Sequence, residues 1–327
     1  MKNPFVTNGY VSPEYFCDRE KETAKIVSLL TNENNIALIS PRRLGKTDLL
    51  RHCFGQPEIK EHYHTFIIDI YATSSVRDFV NVFGKAVLDE LRPKGKSVWG
   101  TFLNVLASLR SEITFDMNGQ PTWGIGLGAI TNPSATLDEI FSYLNNAGKP
   151  CLIAIDEFQQ ITKYADDPNI EAALRTHIQR CSNAHFVFSG SHRHLMGAMF
   201  TSPARPFYQS VTLINLPPIS VDKYAEFCLR HFERASKHLD TLVVTELYER
   251  FNGITSYMQK VMNILFSMTG TGEICIPSMI DTAINDLLDF SADTYDALLY
   301  QMPEKQRIVF MAIAAELSLI HISEPTR

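Results

Sequence analysis

Short apolar runs alternate with amphipathic stretches along most of the chain. The runs "NNIALIS", "YHTFIIDIY", "CLIAIDE" and "AHFVFSG" are rich in β-branched and aromatic residues, and "SVTLINL" reads as a fifth. Runs of this length bounded by polar turns predict buried strands. Between them, segments such as "TDLLRHCF" and "SVRDFVNVFGKAVLDEL" place apolar residues at helical spacing. Strands separated by helices predict a mainly parallel sheet covered on both faces.

One stretch breaks the alternation. "EITFDMNGQPTWGIGLG" has two strand-like arms around Asn118–Gly119, a pair that tolerates positive φ and favours a tight reversal. It predicts a β-hairpin inserted over about 111–128. After Pro217 and Pro218 the pattern becomes helical throughout, with Ser220 and Pro277 as helix-start residues. The expected organisation is an N-terminal segment to 35, an α/β core over 36–216, a second, all-helical domain over 217–299, and the start of a further domain over 300–316.

Composition narrows the function classes. At 327 residues the chain fits two domains and can bury a sizeable core. A formal charge of −6 argues against a uniformly basic nucleic-acid binder. Six scattered cysteines with no CxxC pair fit reduced thiols better than a disulfide framework or a zinc site. There is no run of 18 apolar residues and no apolar signal core at the start, so the expectation is a cytoplasmic protein with no membrane contact.

The chemistry concentrates where strands meet helices. "SPRRLGKT" follows the first strand and opens the first helix, matching G-x-x-x-x-G-K-[ST] except that Ser40 holds the first glycine position. Gly45 lets backbone approach a phosphate, and the N–H groups of Pro41–Asp48 (Pro41 itself excepted), including Arg42, Arg43 and Leu44, curl toward an anion at the helix N-terminus. Lys46 would set its ammonium on the β- and γ-phosphates, and Thr47 would offer a hydroxyl to Mg²⁺. Asp156 and Glu157 close the strand "CLIAIDE" at the mouth of the sheet. Asp156 is the expected Mg²⁺ partner and Glu157 the group that orients or deprotonates the attacking water. After "HFVFSGS", Ser191 is the first choice and Ser189 the alternative for reporting the γ-phosphate. His192 and His194 lack a partnering ligand cluster nearby in sequence, so they are read as starting a helix and not as binding metal.

With these pieces assembled, the sequence resembles the STAND-class ATPases of the AAA+ superfamily, and more narrowly the archaeal-type ATPase family in a bacterial form. The resemblance spans roughly 12–300 and rests on "YFCDREKE", "SPRRLGKTDLL", "IAIDEFQ", "FSGSHRHLM", "RPFYQ" and "FNGITSYMQKVM". It implies a P-loop core with a hairpin insertion and a helical lid. Phe16 and Arg19 would lie near the adenine. Arg205 would be either an arginine near the γ-phosphate or a surface ion pair. Gly253 and Tyr257 match a lid motif whose proline is here Ser/Thr. Arg42 and Arg43 would clamp phosphate or touch the lid.

The function so implied is Mg²⁺-dependent ATP binding and slow hydrolysis as a conformational switch, with self-association or a protein partner. The rival is an ATP-gated DNA-binding module similar to origin-binding AAA+ proteins, with DNA contacted through a further C-terminal domain. A third is a nucleotide-binding scaffold without turnover, which Glu157 argues against. No "NKxD" supports a GTPase. In the family, the segment 300–316 commonly begins a winged-helix domain, which leaves Ile308, Val309 and Phe310 without their normal partners. The closing "LSLIHISEPTR", Leu317–Arg327, lacks a continuing helical apolar spacing. It matches, residue for residue, the conceptual translation of a transposase-type sequencing adapter, so it is expected to be foreign to the protein.

Overall fold

A computed structural model describes residues 2–91, 113–115, 121–123 and 133–323. Its centre is a five-stranded, wholly parallel sheet in the order β2-β5-β6-β1-β7, formed by β1 (Ile36–Ile39), β2 (His64–Asp69), β5 (Cys151–Asp156), β6 (Ala184–Gly190) and β7 (Thr212–Asn215). The five predicted strands are all present, and the sheet is the α/β fold that the sequence pattern implies.

Strand alternation divides the core in two. Cys151, Ile153 and Ile155 of β5, with Ala37 and Ile39 of β1, face a cluster built with α4 (Val76–Glu90), α5 (Pro133–Asn145), α6 (Ile170–Arg180) and α7 (Arg193–Thr201). Leu152 and Ala154, with Ile36 and Leu38, face the other side, packed with α1 (Glu20–Thr31), α2 (Lys46–Phe54) and α3 (Pro57–His62). Both faces are dry, which is why these strands read as continuous apolar runs and not as alternating ones.

The hairpin also forms. β3 (Ile113–Phe115) pairs antiparallel with β4 (Pro121–Trp123), Ile113 opposite Trp123. The rest of the expected insertion, including Asn118–Gly119, lies outside the described residues.

Beyond Pro217 come α8 (Val221–Arg234), α9 (Thr241–Arg250), α10 (Thr255–Met268), α11 (Ile280–Gln301) and α12 (Glu304–Ser323). A two-residue parallel pair, β8 (His238–Leu239) with β9 (Ile274–Cys275), joins this otherwise helical region. Ser220 caps α8, its hydroxyl accepting from the Lys223 amide at 3.4 Å. The core of this domain gathers Tyr224, Phe227, Phe232, Val261 and Met262, and it also contains Phe5 and Cys17 from the N-terminal segment. That segment is therefore part of the helical domain's packing, a relation the sequence pattern does not reveal.

Ile308, Val309 and Phe310 are exposed on α12. α12 differs from expectation at its far end: it runs past Glu316 to Ser323. Nothing in "LSLIHIS" halts propagation once a helix exists, and the first residue that would is Pro325. Among the described residues no helix is long and apolar enough to cross a membrane. All six cysteines are buried and free.

Candidate functional site

The phosphate loop connects the carboxyl end of β1 to α2, with Arg43 at φ +69° and Gly45 at φ +83°. A Cβ on Gly45 would meet nothing within 4 Å. Glycine is needed there for the left-handed backbone and not for space. The turn aims the N-terminus of α2 into a cavity of about 340 Å³ between the sheet, the helical domain and the N-terminal segment.

Lys46 is buried, and its Nζ donates to the carbonyls of Ser40 at 3.1 Å and Pro41 at 3.3 Å. Burial lowers its pKa from the ordinary lysine value, while the neighbouring Asp156 and Glu157 act in the opposite direction. The ammonium thus rests on neutral carbonyls at the cavity wall, with no carboxylate within hydrogen-bonding reach among the described residues. It is a positive centre available to an anion.

Thr47 donates to Asp156 Oδ2 at 2.5 Å. The other carboxylate oxygen of Asp156 accepts from Ser189 Oγ at 2.5 Å and from the Glu157 amide at 3.0 Å. Ser189 is fully buried behind Asp156. Ser191 instead reaches Glu157, donating to its Oε2 at 2.8 Å, and Gln159 Nε2 donates to the same oxygen at 2.5 Å. Glu157 itself sits at φ +54°, so the chain leaves β5 through a strained turn that presents both acidic side chains at one mouth.

The two loop arginines part company. Arg42 donates from Nε to Ser191 Oγ at 3.4 Å and lies over the Tyr71 ring at 5.3 Å. Arg43 reaches the helical domain, where its guanidinium donates to the Tyr257 hydroxyl and lies 4.8 Å from that ring's centre. Leu44 is buried beneath the loop. Asp48, one turn into α2, pairs with Arg51 at 3.2 Å, and burial raises its pKa despite that partner.

At the other end, Phe16 stacks on His52 at 4.4 Å between ring centres, and Tyr10 bonds His52 Nδ1 through its hydroxyl at 3.0 Å. Arg19 is buried in a left-handed conformation. Its guanidinium donates to the Pro217 carbonyl at 2.7 Å and to Glu22 at 2.9 Å. It therefore ties the start of α1 to the beginning of the helical domain while lining the cavity. Pro41 contributes its carbonyl to Lys46. Arg205 stands apart: it is not among the lining residues, and its guanidinium pairs with Glu171 of α6. His192 and His194 are exposed at the start of α7. Among the described residues no group of three His, Cys, Asp or Glu could hold a metal ion alone.

The sequence did not mark the N-terminal lining residues Val6, Gly9, Tyr10 and Val11, which roof the cavity as a strap; Thr255, Ser256 and Gln259 of α10, inside the stretch that resembles a lid motif, close it from the helical side. Asn3 donates to the Asn263 carbonyl and Asn263 to the Phe5 carbonyl, both at 2.7 Å, which fastens the strap to α10. The one sequence signal was an aromatic residue, Phe5 or Tyr10, in a stretch with no periodicity of its own.

Comparison with known proteins agrees with this fold. A family described as an ATPase domain predominantly from Archaea matches residues 16–261. Among solved structures, the Walker-type ATPase of Pyrococcus abyssi superposes with a TM-score of 0.63 at 19% identity, covering 91% of this chain and 79% of that one. The ORC2 protein of Aeropyrum pernix gives 0.57 at 14% identity over 87% and 71%. Cdc6p of Pyrobaculum aerophilum gives 0.51 at 13% identity over 81% and 64%. At these identities the likeness is one of fold. No curated protein matches.

Proposed function

The chain belongs to the family of ATPase domains found predominantly in Archaea, an AAA+-type P-loop fold, and on that footing we propose that it binds ATP with Mg²⁺, hydrolyses it slowly and uses the cycle to move its helical domain as a lid. The observation that carries the switch is Arg43, which belongs to the phosphate loop yet bonds Tyr257 of α10, while its own carbonyl accepts from the Ser256 amide at 3.2 Å. A loop that wraps phosphate and a helix that covers it are thus one connected unit.

Each residue has a role in this reading. Lys46 exchanges the carbonyls of Ser40 and Pro41 for the β- and γ-phosphates, and the remaining loop amides hold the chain of phosphates. Thr47 and Asp156 are hard oxygen donors already in register with each other, a set that suits Mg²⁺ with phosphate and water completing its shell. The ion would neutralise charge as the phosphoryl group leaves. Glu157 orients the attacking water once it gives up its bonds to Ser191 and Gln159, and Ser191 is then free to meet the γ-phosphate. Phe16 and Tyr10 wall the base side. Arg205 supports the core through Glu171. Slow turnover fits a signalling switch of the STAND type, in which the state of the lid is the output.

Two variants test this. Lys46→Ala should abolish ATP binding, and Glu157→Gln should bind ATP but release no phosphate. Normal turnover in both would sink the assignment.

A further inference from the structure

Gln259 of α10 lines the cavity. Its side-chain carbonyl Oε1 is engaged behind the wall: the Tyr224 hydroxyl of α8 donates to it at 2.9 Å. Tyr224 is fully buried in the helical domain's core, and burial raises its pKa well above the ordinary tyrosine value. The phenol therefore stays protonated and keeps the proton it donates to Gln259. Because the carbonyl end of the amide is fixed inward, the amide nitrogen lies on the other side of the group. It has no hydrogen-bond partner among the described residues, and it carries two N–H donors.

The location of this donor along the cavity follows from its neighbours. Ser256, one helical turn earlier, meets the phosphate loop at the Arg43 carbonyl. Gln259 is one turn away from that contact. Tyr224 follows Lys223, whose carbonyl accepts from the Cys17 thiol at 3.8 Å, and it shares a hydrophobic cluster with Cys17, so the Tyr224–Gln259 pair stands beside the Phe16–Cys17 segment of the cavity wall.

We infer that Gln259 is the lid's donor to the sugar and base half of the bound nucleotide, and that Tyr224 is a positioning residue that holds its amide in the donating orientation. Adenine ring nitrogens and ribose oxygens are the acceptors such a group reads. The contact forms only when α10 lies over the cavity, so it makes lid closure sensitive to the nucleoside and not to phosphate alone. This rests on the nucleotide reading given above.

The experiment measures binding of a non-hydrolysable ATP analogue and of inorganic tripolyphosphate to the full chain by calorimetry. Gln259→Leu should weaken the analogue about tenfold, the worth of one good hydrogen bond, and leave tripolyphosphate unchanged. Tyr224→Phe, nearly isosteric, should weaken the analogue by a similar factor. The double variant should be no weaker than Gln259→Leu, because Tyr224 acts through Gln259. Wild-type affinity in Gln259→Leu, an equal loss for tripolyphosphate, or full additivity of the two substitutions would each overturn the inference. Lys46→Ala serves as the control: if it binds both ligands normally, the nucleotide reading itself has failed.

Discussion

Arg43 and Tyr257 lie in different domains, and the guanidinium of the first sits 4.8 Å from the ring centre of the second while donating to its hydroxyl. A charged loop residue over an aromatic face contributes about 0.5–2 kcal/mol. The contact joins the phosphate loop to α10 without crossing either hydrophobic core. Tyr257→Ala should therefore weaken nucleotide affinity by roughly 3- to 10-fold. It should speed nucleotide release and, through the lost contacts to Arg43 and Phe251, lower the melting temperature by a few degrees. Stopped-flow release of a fluorescent nucleotide checks it; unchanged release would show that the contact does not hold the lid.

Gly190, at the end of β6, leaves room for two side chains. A Cβ there would press on Gln159 Oε1 and come within 2.6 Å of Met196 Sδ, so both side chains would have to shift. Gln159 is the residue that holds Glu157 Oε2. Gly190→Ala should displace it, lowering kcat while nucleotide binding persists, and should cost about 1–3 kcal/mol through overpacking. Steady-state phosphate release beside a denaturant melt separates the two effects.

Phe5 anchors the strap. It is fully buried among Phe227, Phe232 and Phe266, with ring centres 6.0, 5.8 and 5.7 Å away. Phe5→Ala should cost about 3–5 kcal/mol if the cavity fails to collapse. It should also free the Val6–Val11 roof and weaken ATP binding. If affinity survives while stability falls, the strap does not cover the nucleotide.

Acid should destabilise the fold. Burial lowers the pKa values of His52, His177, His185 and His231 from the usual 6.5. The unfolded chain then binds more protons than the folded one near that pH. Stability is therefore full above about pH 6.5 and falls progressively as the pH drops below it. His231 is fully buried and packed 4.5 Å from the Phe227 ring centre; among the described residues neither ring nitrogen makes a well-formed hydrogen bond, and the nearby Glu14 backbone opposes the fall in its pKa. His231→Phe should raise stability by about 1 kcal/mol and flatten part of the acid limb. Urea midpoints between pH 5 and 8 measure both; an unchanged slope would mean that His231 takes up its proton equally in the folded and unfolded chains.

Much of the fold was legible because its strands are buried on both faces. "CLIAID" and "AHFVFSG" needed no partner to be read, since a continuous apolar run with polar ends has few alternatives. The "LGKT" loop and Asp156–Glu157 were legible for a related reason: phosphate chemistry restricts which residues can occupy a strand–helix junction. The far end of α12 was not legible. Helix propagation beyond Glu316 depends on backbone continuity and not on an apolar face, so the side-chain pattern gave no sign of it.

The sequence by itself determined the sheet, the phosphate loop and the acidic pair, because each is written in adjacent residues whose local periodicity and backbone demands are specific. Tertiary structure alone decided which of two arginines faces the lid, which of two serines reaches Glu157, that Arg205 pairs with Glu171, and that Phe5 belongs to a core more than 200 residues away in the chain. Those choices turn on long-range packing and on the direction a side chain takes once its backbone is fixed. No short stretch of sequence carries that information.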